Sequence, residues 1–290
     1  MLIETITDHK CELGEGPVWD ARHNEICWID ILKGEIHQYA FNNHSYSFFP
    51  LHEQVGSIAI CKNEDFIIAT KSGIGFISRG GGEIQMALNP ESSFPNNRFN
   101  DGKCDPFGRF WAGTMSLTDE PNAGNLYVFD NNKIEKKISN VSISNGIAWS
   151  IDHKTMYYID TPTFEVVAYN YEKYTGQISN RKIVIKISEK DGYPDGMTID
   201  TEGMLWIAHW DGWQVTRWNP NTGKKLHYIK FPVARVTSCA FGGKNLTDLF
   251  ITSARTGLTE NDLKEQPFAG ALFTIRNCGF QGLPAFEFNN

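Results

Sequence analysis

The chain has 290 residues, of which 41% are hydrophobic, 13% aromatic and 21% charged, and its net charge is −7. That acidic balance argues against nucleic acid as a partner, because neutralising phosphates requires a basic face. No apolar run approaches the roughly 18 residues that a membrane-spanning helix needs.

In chain order, Met1-Leu2-Ile3-Glu4 lacks the basic start and apolar run of a secretory leader. The six cysteines, at positions 11, 27, 61, 104, 239 and 278, include no C-x-x-C pair. Reduced thiols and a cytoplasmic location are the expectation. Leu2–Thr7 alternates like a strand. A first unit follows, with a small-residue start at Gly16–Asp20, an aromatic and β-branched run at Ile26–Asp30, and a third run at Gly34–Tyr39. The same three patterns return at Gly56–Ile60, Phe66–Thr70 and Gly73–Ile77, then at Gly102–Pro106, Phe110–Thr114 and Gly124–Phe129. They return again at Gly146–Ser150, Met156–Asp160 and Phe164–Tyr169, and at Gly196–Asp200, Leu205–His209 and Trp213–Trp218. The last set is Ser238–Gly242, Leu249–Ser253 and Gly270–Ile275. More polar fourth strands are visible at Lys133–Ile138 and Lys182–Ile187, where charges suit an exposed edge.

Units that start 40 to 50 residues apart, each with up to four strands, are the signature of propeller blades. The fold expected is all-β, a six-bladed β-propeller of four-stranded blades, with residues 1–290 as one domain. A sandwich does not require equal four-strand units. Both chain ends offer a strand to close the ring: Leu2–Thr7, or the tail Phe280–Phe288.

The first strand of each blade lines the channel, so the residues just before the first pattern share one mouth. They are Glu15, Val55, Asp101, Asn145, Asp195 and Thr237. Carboxylates converging on a narrow channel repel one another, and burial adds to the cost. A divalent cation relieves both problems. Glu15, Asn145 and Asp195 are hard oxygen ligands suited to Ca²⁺, Mg²⁺ or Mn²⁺. Asp101-Gly102, Asn145-Gly146 and Asp195-Gly196 are also turn signals taken singly. Their shared phase is what favours a site.

These residues sit in recognisable strings. Leu13–Trp19 (LGEGPVW), Arg98–Lys103 (RFNDGK) with Gly113-Thr-Met115, Ser144–Ser150 (SNGIAWS) and Pro194–Met197 (PDGM) resemble motifs of the senescence-marker-protein/gluconolactonase family, the regucalcin-like sugar lactonases. The resemblance implies a six-bladed fold and one divalent metal (Ca, Zn, Mn, Mg or Fe(II)) on Glu15, Asn145 and Asp195. It also implies Asp195 as catalytic acid/base, and Arg98 and Asn100 as substrate-binding residues. Asp101, and His209 beside Trp210, are further expected substrate contacts. Where some members carry an acidic contact after Gly-Thr-Met, this chain has Leu117-Thr118, then Asp119 and Glu120.

The activity expected is hydrolysis of an aldonolactone to its aldonic acid by a monomer. The metal would polarise the carbonyl, Asp195 would move the proton, and Arg98 and Asn100 would hold sugar hydroxyls. Two alternatives are a non-catalytic calcium-binding propeller and an esterase for aryl lactones or organophosphates. The ends of the second strands, Asp30, Lys71, Met115, Asp160, His209 and Arg255, are expected to rim the same mouth.

Overall fold

The computed structural model describes residues 2–290. Six antiparallel sheets of four strands stand as blades around a channel. The inner strands are Gly14–Asp20, Val55–Ile60, Asn97–Cys104, Ser144–Trp149, Tyr193–Ile199 and Val236–Gly242. Each packs against the inner strands of the blades before and after it, and the sixth packs against the first.

Six hydrophobic clusters lie between neighbouring blades, one at each interface. Trp206, Val215, Ile251 and Phe273 join blades five and six. Trp19, Trp28 and Phe250 join blade six to blade one. The second strands read as continuous apolar runs because both of their faces are covered. Trp28, Trp111 and Trp206, on the second strands of blades one, three and five, are fully buried. Truncating any one to Ala costs about 3–5 kcal/mol.

The N-terminal strand, of the two candidates, closes the ring. Glu4–Thr5 is the outer strand of blade six, with Glu4 opposite Thr274 and Thr5 opposite Phe273. The tail does something else. It bridges Asp200 at Gly282 and Cys61 at Phe288. Between those anchors, Leu283, Pro284, Ala285 and Phe286 line one chamber with inner-strand residues such as Trp19, Cys104 and Ala148. The tail thus stops one end of the channel and leaves the other as its mouth. No helix among the described residues is long and apolar enough to cross a membrane.

Candidate active site at the open mouth

Every inner strand carries a register shift at its mouth end. The shifts fall between Glu15 and Val18, Val55 and Ser57, Phe99 and Gly102, Asn145 and Ile147, Pro194 and Met197, and Val236 and Ser238. A bulge breaks alternation and re-aims a side chain. Here the bulges of blades one, four and five bring Glu15, Asn145 and Asp195 to one cavity. The Asp-Gly and Asn-Gly pairs are therefore bulged strand, not hairpin turns. Their glycines answer to crowding: a Cβ on Gly102 would lie 2.6 Å from Ser57 Oγ, and one on Gly146 would lie 2.7 Å from Met197 Cβ.

The bulges open a cavity of about 300 Å³. Its polar lining is Glu15, Arg98, Asn100, Asn145, Thr161 and Asp195. Leu13, Ile31, Met115, Ile143, Tyr193 and Trp210 form the apolar wall. Leu13, Ile143 and Tyr193 each stand two residues before Glu15, Asn145 and Asp195, so the same repeat phase supplies wall and floor. Asp30 is fully buried and accepts from the Glu12 and Leu13 amides. Asp160 accepts from Ser142 and Ile143. These two acids hold the segments carrying Leu13 and Ile143, rather than facing a ligand.

The electrostatics of the floor are unusual. Burial, then the neighbouring Asp195 and Asp101 carboxylates, push the Glu15 carboxyl well above the ordinary range. Burial and Asp101 do the same to Asp195. Glu15 accepts one hydrogen bond from the Gly16 amide, at 2.7 Å. Asn145 Nδ2 donates to Thr161 Oγ1 at 2.9 Å, and Thr161 donates to the Pro194 carbonyl at 2.8 Å. That clamp fixes the amide, and Asn145 Oδ1 is left buried with no hydrogen-bond partner. An orphaned buried acceptor beside two crowded carboxyls fits a hard cation.

Arg98 is buried, and its Nη1 donates to the Phe99 carbonyl at 2.9 Å and to Asn100 Oδ1 at 2.7 Å. Asn100 Nδ2 donates to the Ser144 carbonyl at 2.8 Å. Both Nη1 protons are thus engaged, which leaves three of the five guanidinium donors for a ligand. Burial lowers the Arg98 pKa to about 10, against the pull of Glu15, Asp195 and Asp119, so it stays cationic at neutral pH.

Not every expected residue reaches the cavity. Asn100 and Asp101 share the blade-three bulge but part company. Asp101 lines the deeper chamber next to Lys103, on the stopped side of the channel. His209 is fully buried inside blade five, with Nε2 2.6 Å from Thr216 Oγ1. Burial lowers its pKa to about 4. Strand alternation puts its neighbour Trp210, not His209, at the wall. Of the expected rim residues only Met115 lines the cavity. Asp119 and Glu120 do not line it.

Fold and cavity together define a six-bladed propeller with an acidic axial site open at one end. The profile described as "SMP-30/Gluconolactonase/LRE-like region" matches residues 13–255. Regucalcin of Gallus gallus is 37% identical over 292 residues, covering 99% of this chain and 98% of that protein. A luciferin-regenerating enzyme superposes with a TM-score of 0.94 at 32% identity, over 100% of this chain and 99% of that one. A calcium-binding protein, regucalcin, from Agrobacterium tumefaciens str. C58 superposes with a TM-score of 0.92 at 28% identity, over 98% and 96% of the two chains. The chain belongs to the SMP-30/gluconolactonase family.

Proposed function

We propose that this protein hydrolyses a sugar lactone to its aldonic acid, with Glu15, Asn145 and Asp195 holding one divalent cation at the mouth. The observation that carries this reading is the buried, partnerless Asn145 Oδ1 beside the two crowded carboxyls of Glu15 and Asp195. Family membership is consistent with lactone hydrolysis. A cation bound there supplies Lewis acidity to a lactone carbonyl and offsets developing oxyanion charge. Asp195 takes the proton of the attacking water and returns it to the ring oxygen as the ring opens. Arg98 presents its three remaining N–H groups to sugar hydroxyls or to the nascent carboxylate. Asn100 fixes the Arg98 fork through its Oδ1. Trp210 and Tyr193 offer apolar faces to the sugar ring and exclude bulk water.

We also infer that the protein is a cytoplasmic monomer. Six free, buried cysteines and a charged outer strand at Lys133–Val141 support it. A second reading, cation binding without turnover, takes support from the description of the Agrobacterium relative as a calcium-binding protein. The deciding experiment is a panel of aldonolactones with aryl lactones and an organophosphate alongside. It is assayed after EDTA treatment and again with Ca²⁺, Mg²⁺, Mn²⁺, Zn²⁺ or Fe²⁺ restored. Sugar-lactone hydrolysis that EDTA abolishes and a cation restores is the expected result. Cation binding with every lactone untouched would establish the second reading instead.

A further inference from the structure

Away from the channel, a second donor cluster sits where the chain passes from blade six into blade one. Two pairs of residues, each spaced by one, create it. In extended chain, residues i and i+2 share a face. Glu35 and His37 share a face of the strand Glu35–Ala40. His9 and Cys11 lie on the segment between Glu4–Thr5 and Gly14–Asp20. That segment is pinned by the Cys11 amide, which donates to the Gly270 carbonyl at 2.8 Å.

One donor atom from each of His9, Cys11 and His37 lies within 4.8 Å of the other two. Cys11 Sγ is 3.8 Å from His37 Nε2. Glu35 Oε2 is 3.4 Å from His37 Nε2 and 3.9 Å from His9 Nε2. Around a tetrahedral ion with bonds of about 2.0–2.3 Å, neighbouring donors stand about 3.3–3.6 Å apart. The cluster is close to those spacings before any ion draws it together. His9 Nε2 and Glu35 Oε2 are both buried and without a hydrogen-bond partner. Cys11 and His37 are themselves buried. The other His37 nitrogen, Nδ1, is 2.9 Å from the Tyr46 hydroxyl, and Trp28 stacks on the ring at 5.2 Å. With Nδ1–H donating to Tyr46, the Nε2 lone pair is turned to the cluster, as in orienting shells around metal-bound histidines.

We propose that His9, Cys11, Glu35 and His37 form a second metal site, for a divalent transition ion of the Zn²⁺ type, that staples the seam between the first and last blades. One thiolate, two imidazoles and one carboxylate suit such an ion, whereas the all-oxygen set in the channel suits harder ions. Binding transfers the Cys11 proton to solvent and changes no oxidation state. The dication, thiolate and carboxylate then sum to zero charge, which a buried site tolerates.

Cobalt(II) is a direct probe, because a cysteine thiolate on Co²⁺ gives a near-ultraviolet charge-transfer band that oxygen ligands cannot give. Metal-free, reduced full-length protein titrated with Co²⁺ should show this band, and Zn²⁺ should bleach it. Asp195→Asn should keep the band, which separates this site from the channel site. Cys11→Ser should abolish it with the other five cysteines intact. Outer-shell partners alone are worth 10–100-fold in affinity, so His9→Ala, which removes a ligand, should weaken Co²⁺ binding at least about tenfold. His9→Ala also decides the matter should Cys11→Ser fail to fold. Absence of the band in the wild type, its survival in Cys11→Ser, or unchanged affinity in His9→Ala would overturn the proposal.

Discussion

The two ends of the channel are built from the same six strands and treat their acids in opposite ways. At the stopped end, Asp105 accepts from Arg109 Nε at 2.6 Å, Trp111 Nε1 at 2.9 Å and Tyr171 Oη at 2.7 Å. Asp200 repeats the pattern with Trp206 Nε1 at 2.9 Å and Arg217 Nε at 2.7 Å. Asp20 pairs with Arg79, which comes from the next blade. At the mouth, Glu15 and Asp195 are buried and face each other, with Asn145 Oδ1 unpartnered beside them. Acids paired with cations at one end hold the ring together, and acids crowded against one another at the other are available for chemistry. Burial alone does not distinguish the two. The partners do.

The sharpest break in this comparison comes from Asp195→Asn. Lactone hydrolysis should fall by about 10²–10⁴-fold, the range for loss of a general acid/base. Thermal unfolding of the metal-free protein should show no loss of stability, since one of several mutually repelling buried carboxyls has been removed. Asp105→Ala should do the reverse. It strands Arg109, Trp111 and Tyr171, so denaturant unfolding should show a loss of about 3–5 kcal/mol, with activity per folded molecule unchanged. Arg98→Met tests the mouth again: kcat/KM should fall roughly 10–100-fold, the worth of about 1.5–3 kcal/mol of charged hydrogen bonding.

The smallest effect is a pH dependence at the stopped end. Burial would raise the Asp20 carboxyl, but the His23 hydrogen bond and the Arg79 charge outweigh it and hold the pKa below the ordinary value. Between the two pKa values the unfolded chain binds more protons than the folded one. The stability Asp20 contributes is therefore complete above its unfolded pKa and disappears as pH falls through its folded pKa. The stability gap between wild type and Asp20→Asn, followed by urea titration from neutral to acid pH, should close in that direction. A gap that widens on acidification would put the Asp20–Arg79 pair on the wrong side of the comparison.

Much of the ring was legible because inner, second and third strands repeat in fixed order, each with an apolar signature imposed by burial between blades. The outer strands were mostly silent. Ser45–Pro50, Gln85–Leu88 and Lys224–Lys230 face solvent on one side and carry no pattern that burial enforces. Repeat phase alone brought Glu15, Asn145 and Asp195 to one height. What phase could not convey was the bulge, a property of the pairing between two strands. Asp101 looked equivalent to Asp195, yet the blade-three bulge sends it to the deeper chamber. His209 lies off the cavity for a similar reason, because a strand end offers two faces and only the fold chooses between them. The walls at Leu13, Ile143 and Tyr193 were readable in retrospect, two residues before each floor residue. The tail's role was hidden because a segment that meets the channel mainly through isolated bridges has no periodicity to reveal it.

The pairing of Glu4 with Thr274 has a consequence for how the molecule is made. Glu4–Thr5 is made before blades one to five, and its partner strand Phe273–Ile275 is made after them. Five blades can stack as they appear, but Glu4–Thr5 stays unpaired until the strands of the sixth have been made. The closing step thus joins segments of the greatest sequence separation, the kind that folds slowly and leaves an edge exposed to other chains while it waits. Shortening the leader ahead of Gly14 should therefore show first as aggregation during synthesis, before any loss is measurable in the finished ring.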